Sequence, residues 1–302
     1  MTKIEEVKSI KSSNNKKLKF FSEYRDKLKS DLAGLKVIYT DLDGTLLNDA
    51  GCLVKDADGN FFLEAVCLLE TISKKNWDLV LVSGRNKLQL RYNAMLLGAR
   101  NYIPELGCEL VYDLGREVHI TFDNSGYKYE ITRGGKDLMR IIKIFKDAFP
   151  GKIESRIEWS MERSYNALFF GEIDLIAANR LLAENGYGGL VLVDNGFSRL
   201  MSAYLDIKNP RIYNLIPAGV EKSTAIKLDR KLRNLKKGNC IALGDSAEDL
   251  KMAKEVFAFF LMKDAVEMDS SLLELAGSCS NVYITEGRMN RGWAEVIKYL
   301  AQ

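Results

Sequence analysis

The chain has 302 residues, 47% of them hydrophobic and 28% charged, and a formal net charge of +3. That length favours two domains, and the composition is that of an ordinary globular protein rather than a disordered or disulfide-stapled one. No apolar run is long enough to span a bilayer, and Met1-Thr2-Lys3-Ile4-Glu5-Glu6 lacks a signal-peptide core, so a cytoplasmic location is the default expectation.

The charge is unevenly placed. Residues 1–30 hold nine Lys/Arg against four Asp/Glu, which makes that arm +5 and leaves −2 for the rest. A nucleic-acid binder concentrates positive charge on its folded domain, so no nucleic-acid or membrane partner is expected. The arm, with Ser12-Ser13-Asn14-Asn15-Lys16-Lys17, reads as a solvated extension over 1–35 with a helix near 18–32. Five scattered cysteines without a C-x-x-C spacing argue against a zinc site or disulfide framework. His119, the only histidine, sits between Val118 and Ile120 as a strand residue, so His-based catalysis is not expected.

Val37-Ile38-Tyr39 is an apolar run that reads as a buried strand, and it leads into Asp41-Leu42-Asp43-Gly44-Thr45. Carboxylates at a strand's C-terminal end lie on the rim where open α/β sheets bind ligands. There they can hold a hard cation and do nucleophilic or acid/base chemistry. Asp56-Ala57-Asp58-Gly59-Asn60 lacks the Gly and Glu positions of a calcium loop and reads as a hairpin turn. A helix over 63–74 then precedes a second buried strand, Leu79-Val80-Leu81-Val82, which ends in Ser83-Gly84-Arg85.

A helix over 87–97 and a strand at 101–104 follow, then the turn Glu105-Leu106-Gly107-Cys108. From about 113 to 208 the pattern changes to strands alternating with helices over 135–148 and 173–185. That stretch is too long for a loop and reads as a separate α+β unit, with Asn209-Pro210 as its return hinge. The first unit then resumes with a strand at 212–215 and a helix over 222–235 that opens on Lys222. Next comes the strand Cys240-Ile241-Ala242-Leu243, ending in Gly244-Asp245-Ser246-Ala247-Glu248-Asp249. A strand at 257–261, a helix near 271–276, a strand at 281–284 and a last helix from about Gly292 complete the chain. Parallel strands alternating with helices predict an α/β fold: a doubly wound, mainly parallel, Rossmann-like core sheet over 36–112 and 209–302, with an inserted α+β cap over 113–208.

The ordered set Asp41-Leu42-Asp43-Gly44-Thr45, Ser83-Gly84-Arg85, Lys222 and Gly244-Asp245 with Asp249 resembles the four motifs of the haloacid dehalogenase-like (HAD) hydrolase superfamily. The insert between the second and third motifs resembles a type C2 cap, the cap of the HAD sugar phosphatases (Cof-like, sucrose-phosphate and mannosyl-3-phosphoglycerate phosphatases). The tail Gly287-Arg288-Met289-Asn290-Arg291-Gly292-Trp293 is similar to the last of these.

The resemblance implies a phosphatase that hydrolyses a small phosphorylated metabolite, a sugar phosphate or phosphoglycerate-type ester, through an aspartyl-phosphate. By that likeness Asp41 is the nucleophile and Asp43 the general acid and base. Gly44, Thr45, Ser83, Gly84 and Lys222 hold phosphate, and Asp41, Asp43, Asp245 and Asp249 hold Mg²⁺. Oxygen donors without His or Cys favour Mg²⁺ over zinc. Arg156, Arg163 and Arg199 of the cap, with Trp159 and Tyr165, are candidate substrate contacts. Two positions depart from the family pattern: Glu248 stands where many relatives have Asn, and Lys263-Asp264 stands where a small residue and Asn are usual. The rival readings are a phosphotransferase or phosphomutase with the same nucleophile, and a non-catalytic binding protein on a retained HAD fold.

Overall fold

The structure is a computed structural model that describes residues 18–125, 127–198 and 202–302. The basic stretch before residue 18 and Arg199 lie outside the described residues.

Eight strands form the larger sheet, in the order β12-β11-β10-β1-β2-β3-β4-β5. They are β1 (Val37–Thr40), β2 (Asp78–Val82), β3 (Asn101–Ile103), β4 (Glu109–Tyr112), β5 (Glu117–Ile120), β10 (Cys240–Gly244), β11 (Ala258–Leu261) and β12 (Val282–Ile284). From β12 to β3 every pairing is parallel, and β4 and β5 add an antiparallel edge. Helices cover both faces, which is why the central strands are continuous apolar runs rather than alternating ones. Ile38 belongs to the cluster on one face with Leu81, Phe260 and Trp293, while Val37 and Tyr39 belong to the other with Val80, Ala242 and Ile226. The chain leaves β1 toward β2 on one side and later toward β10 on the other. The order therefore reverses at β1, and the crevice at the carboxyl ends of β1 and β10 is the switch point where such sheets bind ligands.

The smaller sheet, in the order β6-β7-β9-β8, contains β6 (Ile153–Ser155), β7 (Ala167–Gly171), β8 (Leu190–Phe197) and β9 (Arg211–Pro217), all antiparallel. The helices Lys136–Ala148 and Leu175–Glu184 pack on one face through Ile141, Phe145 and Leu182 against Phe169, Leu192 and Tyr213. The inserted α+β unit is therefore present, but its limits differ from 113–208. Glu117–Ile120 completes the larger sheet, and the strand expected in the second core half pairs instead with β7 and β8. An apolar strand-length run reads alike in either sheet, so the pattern alone did not assign it. Asn209-Pro210 consequently lies inside the cap, where the Pro210 carbonyl accepts from Ser198 N.

Residues 18–35, the described part of the N-terminal segment, differ from a solvated extension. The helix Phe21–Asp31 buries Phe21 and Leu28 in the core, with the Phe21 ring edge-on to Phe260 at 5.4 Å between centroids. Phe20 forms a parallel bridge to Ile284, so residues 18–35 belong to the unit of the larger sheet.

The 56–60 segment is a hairpin turn, as expected: Lys55 bridges Phe61 antiparallel, and Gly59 takes φ +82. Asp56 Oδ1 accepts from Asp58 N and Asn60 N at 3.0 and 2.9 Å. The last helix, Met289–Ala301, pins this flap. Asn290 donates to the Leu53 and Lys55 carbonyls at 3.1 and 2.9 Å, and Arg291 Nε reaches Asp56 Oδ2 at 2.9 Å. Trp293 is fully buried and donates to Thr40 Oγ1 at 3.1 Å, anchoring the helix under β1. The tail motif thus has a structural use. Lys263-Asp264 has a similar one: Asp264 Oδ1 accepts from Met289 N at 3.1 Å, and Lys263 N donates to Thr285 Oγ1 at 3.1 Å.

Candidate active site

The site lies at the switch point. β1 ends at Asp41, whose amide still pairs with the Leu243 carbonyl of β10 at 3.0 Å, and β10 ends at Gly244-Asp245. Adjacent parallel strands in register (Thr40 beside Leu243) therefore deliver their carboxylates side by side. Ser246 caps the helix Ala247–Leu250, its Oγ accepting from Asp249 N at 3.2 Å, which turns Asp249 back toward the rim. Asp41, Asp245 and Asp249 each present a carboxylate oxygen within 4.8 Å of the others.

Lys222, the first residue of the helix Lys222–Leu232, enters this cluster from the side, 2% exposed. Its Nζ donates to Asp41 Oδ1 at 2.7 Å and to Asp249 Oδ1 at 2.6 Å. Burial alone pulls an ammonium pKa down, but the Asp249 and Asp41 charges outweigh it and hold Lys222 above its usual value. Burial pushes Asp41 up to about 8, with the Lys222 charge opposing and the Asp249 charge adding to the rise. Asp245 is likewise raised, first by burial and then by the Asp41 and Asp249 charges. Three carboxylates facing one ammonium leave a buried negative excess when all are ionised, and an additional cation relieves that excess.

The donor set fits a hard divalent cation: carboxylate oxygens only, with no His or Cys in the cluster. The three acids are not equivalent. Asp249 spends Oδ1 on Lys222 and Oδ2 on Asp245 N, Ser246 N and Ser246 Oγ at 3.2, 3.1 and 2.7 Å. That network makes Asp249 a holder of Lys222 and of the loop, and leaves Asp41 and Asp245 as the freer oxygens. Asp245 Oδ1 meets only a hydroxyl, Thr45 Oγ1 at 3.3 Å. Glu248 stays outside the cluster, buried and paired with Lys251 at 2.6 Å, so its replacement of Asn adds no charge to the carboxylate group.

Gly44 and Thr45 serve the turn more than they serve an anion. Gly44 N donates to the Leu47 carbonyl at 3.0 Å and Thr45 N to the Leu42 carbonyl at 3.2 Å, so neither amide is free for phosphate. What Gly44 contributes is clearance. It has φ +83, and a Cβ there would lie 2.3 Å from Asp245 Oδ2. Gly244 is required for the same reason, since a Cβ on it would lie 2.3 Å from Asp249 Cβ.

Ser83 is buried and accepts from Arg85 N at 3.1 Å, which leaves its hydroxyl proton to donate. Arg85 grips Asp43 through Nε to Oδ2 at 2.8 Å and Nη2 to Oδ1 at 2.5 Å, and also reaches Asn93 at 2.9 Å. Asp43 is thereby held at the mouth of the site, half exposed, beside the buried cluster. The second motif thus orients the expected acid/base residue through its arginine, a role its spelling did not disclose.

The two described candidate arginines of the cap, Arg156 and Arg163, spend their donors on protein acceptors. Arg156 is paired with Glu154 at 2.6 Å and stacked over Trp159 and Phe170 at 4.9 and 4.8 Å, inside the cap's own packing. Arg163, 8% exposed, donates Nη1 to the Gly84 carbonyl at 2.7 Å and Nε to the Trp159 carbonyl at 3.1 Å. It joins the cap to the Ser83-Gly84 loop. Beside it Glu105, also buried, accepts from Ser164 N at 2.8 Å and Tyr165 N at 3.0 Å. Glu105 and Leu106 hold φ of +51 and +59, and a Cβ on Gly107 would lie 2.5 Å from the Glu221 carbonyl. This strained turn is packed against the start of the Lys222 helix, so cap, Ser83-Gly84 loop and lysine share one joint.

One further residue escaped the sequence reading. β8 breaks register between Asp194 and Phe197, with Gly196 at φ +103 and its amide on Asp194 Oδ1 at 2.8 Å. The bulge brings Asn195 over the second motif: a Cβ on Gly84 would lie 3.1 Å from Asn195 Nδ2. A strand bulge has no reliable spelling, and only Gly196 hinted at it.

A family model described as haloacid dehalogenase-like hydrolase matches residues 197–270. Glucosyl-3-phosphoglycerate/mannosyl-3-phosphoglycerate phosphatase of Persephonella marina is 28% identical over 246 residues, 73% of this chain and 82% of that protein. Among solved structures, the sucrose-phosphatase of Synechocystis in complex with sucrose and phosphate aligns with a TM-score of 0.59 at 15% identity, over 88% of this chain and 97% of that one. A haloacid dehalogenase-like hydrolase from B. subtilis aligns with a TM-score of 0.55 at 20% identity, over 87% and 99%. With the four motifs gathered at one switch point, the chain is similar to the haloacid dehalogenase-like hydrolases.

Proposed function

We propose that the protein is a Mg²⁺-dependent phosphatase that hydrolyses a small phosphorylated metabolite through an aspartyl-phosphate at Asp41. The observation that carries this reading is the buried group of Asp41, Asp245 and Asp249 around the single ammonium of Lys222, with Asp43 beside it. A phosphate monoester is dianionic, so catalysis of its cleavage is largely positioning and charge neutralisation. The relative from Persephonella, a phosphatase of glycosyl phosphoglycerates, supports the same reaction class.

Bound by Asp41 and Asp245, a divalent cation supplies the positive charge that the carboxylates and phosphoryl oxygens lack. The other work falls to the chain. Lys222 holds Asp41 Oδ1 and adds positive charge next to the transferring group. The Asp41 carboxylate attacks phosphorus as the bond to the leaving oxygen breaks, and Asp43 gives that oxygen its proton. Asp43, now ionised, takes a proton from water, whose oxygen attacks phosphorus and releases phosphate and Asp41. Arg85 keeps Asp43 at the mouth between the two steps. Ser83 donates to a phosphoryl oxygen, and the docked cap excludes bulk water.

The test is phosphate release from a panel of sugar phosphates and phosphoglycerate esters, with Mg²⁺ and in excess chelator. Turnover of some ester with Mg²⁺ and none with chelator is expected. Full activity in chelator would overturn the metal's role, and no turnover of any ester would overturn the activity.

A further inference from the structure

Two asparagines of the cap, Asn166 and Asn214, are 0% exposed, and neither amide nitrogen nor amide oxygen of either one has a hydrogen-bond partner. Four unpaired polar atoms in one small region cost the fold stability, since buried amides are ordinarily paired. Apolar residues of the same size would remove that cost, so the amides call for a partner.

Their place in the fold indicates what the partner meets. Asn214 lies on β9 opposite Val193 of β8 and Leu168 of β7. Its strand neighbours Tyr213 and Leu215 face the cap's helices, whereas Ile216, Val191 and Val193 pack with Leu106 and Cys108 of the catalytic unit. By strand alternation Asn214 shares that second, core-facing side. Asn166 leads into β7 directly after Tyr165, whose amide Glu105 of the core holds at 3.0 Å. Both asparagines therefore belong to the cap layer that meets the core around Gly84, the layer in which Asn195 approaches the phosphate loop.

We propose that Asn166 and Asn214 are specificity-determining residues that bind the leaving group of the ester, and that this leaving group is an uncharged, hydroxyl-rich portion such as a sugar or polyol. This deepens the phosphatase reading and rests on it. A carboxamide offers a donor and an acceptor, which matches a hydroxyl, itself both donor and acceptor. A carboxylate or second phosphate accepts only, and would leave both amide oxygens unpaired. The described cations of this layer are committed elsewhere: Arg163 to the Gly84 and Trp159 carbonyls, and Arg156 to Glu154. Among the described residues, the layer thus offers neutral amides where a charged leaving group would need a cation. Movement of the cap admits the ester, and closure pairs the amides with its hydroxyls.

The experiment uses the full chain with Asn166→Leu and Asn214→Leu, which match asparagine in branching and heavy-atom count, and with Asn166→Ser and Asn214→Ser as smaller alternatives. Thermal midpoints and kcat/KM are measured for hexose phosphates, glycerol phosphate, 3-phosphoglycerate and p-nitrophenyl phosphate. The leucine variants are expected to melt no lower than wild type. They should lose tenfold or more in kcat/KM on the hydroxyl-rich esters that wild type prefers, and stay within threefold on p-nitrophenyl phosphate. An unchanged substrate ranking in both the leucine and the serine variants overturns the assignment while leaving the phosphatase reading intact. So does lowered stability with equal loss on every ester, the signature of amides that hold a structural water. A wild-type preference for 3-phosphoglycerate over every neutral-leaving-group ester overturns the proposed substrate class. Failure of wild type on every ester instead defeats the activity itself.

Discussion

Lys222→Met is the sharpest perturbation of the buried charge group. Methionine has nearly the length of lysine and none of its charge. Lys222 Nζ sits 2.7 Å from Asp41 and 2.6 Å from Asp249, nearly sealed from water, so no solvent replaces it. Removing one partner of a buried ion pair costs about 3–5 kcal/mol, because the other charge is left uncompensated. Protonation limits the damage below pH 8: Asp41, pushed up to about 8, already carries a proton at pH 6, so it loses less with the Lys222 charge there. At pH 8.5 Asp41 is mostly ionised in the wild type, and in the variant it must either stay charged without its counter-ion or take up a proton. Without metal, the variant's thermal midpoint should therefore fall by roughly 6–20 °C at pH 8.5, at about 2–4 °C per kcal/mol for a chain of this size. The fall should be smaller at pH 6, and Mg²⁺ should recover part of it at pH 8.5 by replacing the missing positive charge. Calorimetry at both pH values, with chelator and with Mg²⁺, gives all four numbers. A variant as stable as wild type at pH 8.5 in chelator would refute the charge argument.

Other outcomes follow from the same geometry. Because burial raises Asp41 to about 8 in the folded state, the protein binds more protons folded than unfolded between about pH 4 and pH 8; metal-free wild type should lose stability as pH rises through that window, and Asp41→Asn should flatten the slope in a pH series of melts. Gly44→Ala should cut turnover at least tenfold, since its methyl would meet Asp245 Oδ2 at 2.3 Å on a backbone at φ +83; wild-type kcat at saturating Mg²⁺ would contradict this. Arg163→Ala releases the Gly84 carbonyl, so kcat/KM should fall for every ester, p-nitrophenyl phosphate included, by about tenfold or 1.4 kcal/mol; a loss confined to one substrate would return Arg163 to the role of substrate contact.

The catalytic group was legible because it is local. Asp41 and Asp245 each sit one residue past an apolar strand, Asp43 three residues past one, and Asp249 in the first turn of a helix, so a linear pattern locates them, and parallel register brings Asp41 and Asp245 together. What escaped depends on contacts between segments far apart in the chain. The apolar run Arg211–Pro217 fits either sheet, and only its pairing with β7 and β8 decides. Phe21 and Leu28 look like sparse apolar positions in a basic arm until Phe260 and Tyr299 are seen to cover Phe21. Arginines in a cap suggest anion binding by charge, yet Arg156 and Arg163 spend their donors on protein acceptors, and charge alone cannot foretell that. Asn195 depends on a bulge, and the isolation of Asn166 and Asn214 is invisible without their surroundings.

The most direct measurement is acid-quenched single turnover with a preferred ester and Mg²⁺, followed by peptide mass spectrometry. A transient phosphoryl adduct on the peptide that contains Asp41, absent from Asp41→Asn, is the expected result. Phosphate release at the full single-turnover rate with no adduct on that peptide, or sustained turnover by deamidation-free Asp41→Asn, would contradict the account.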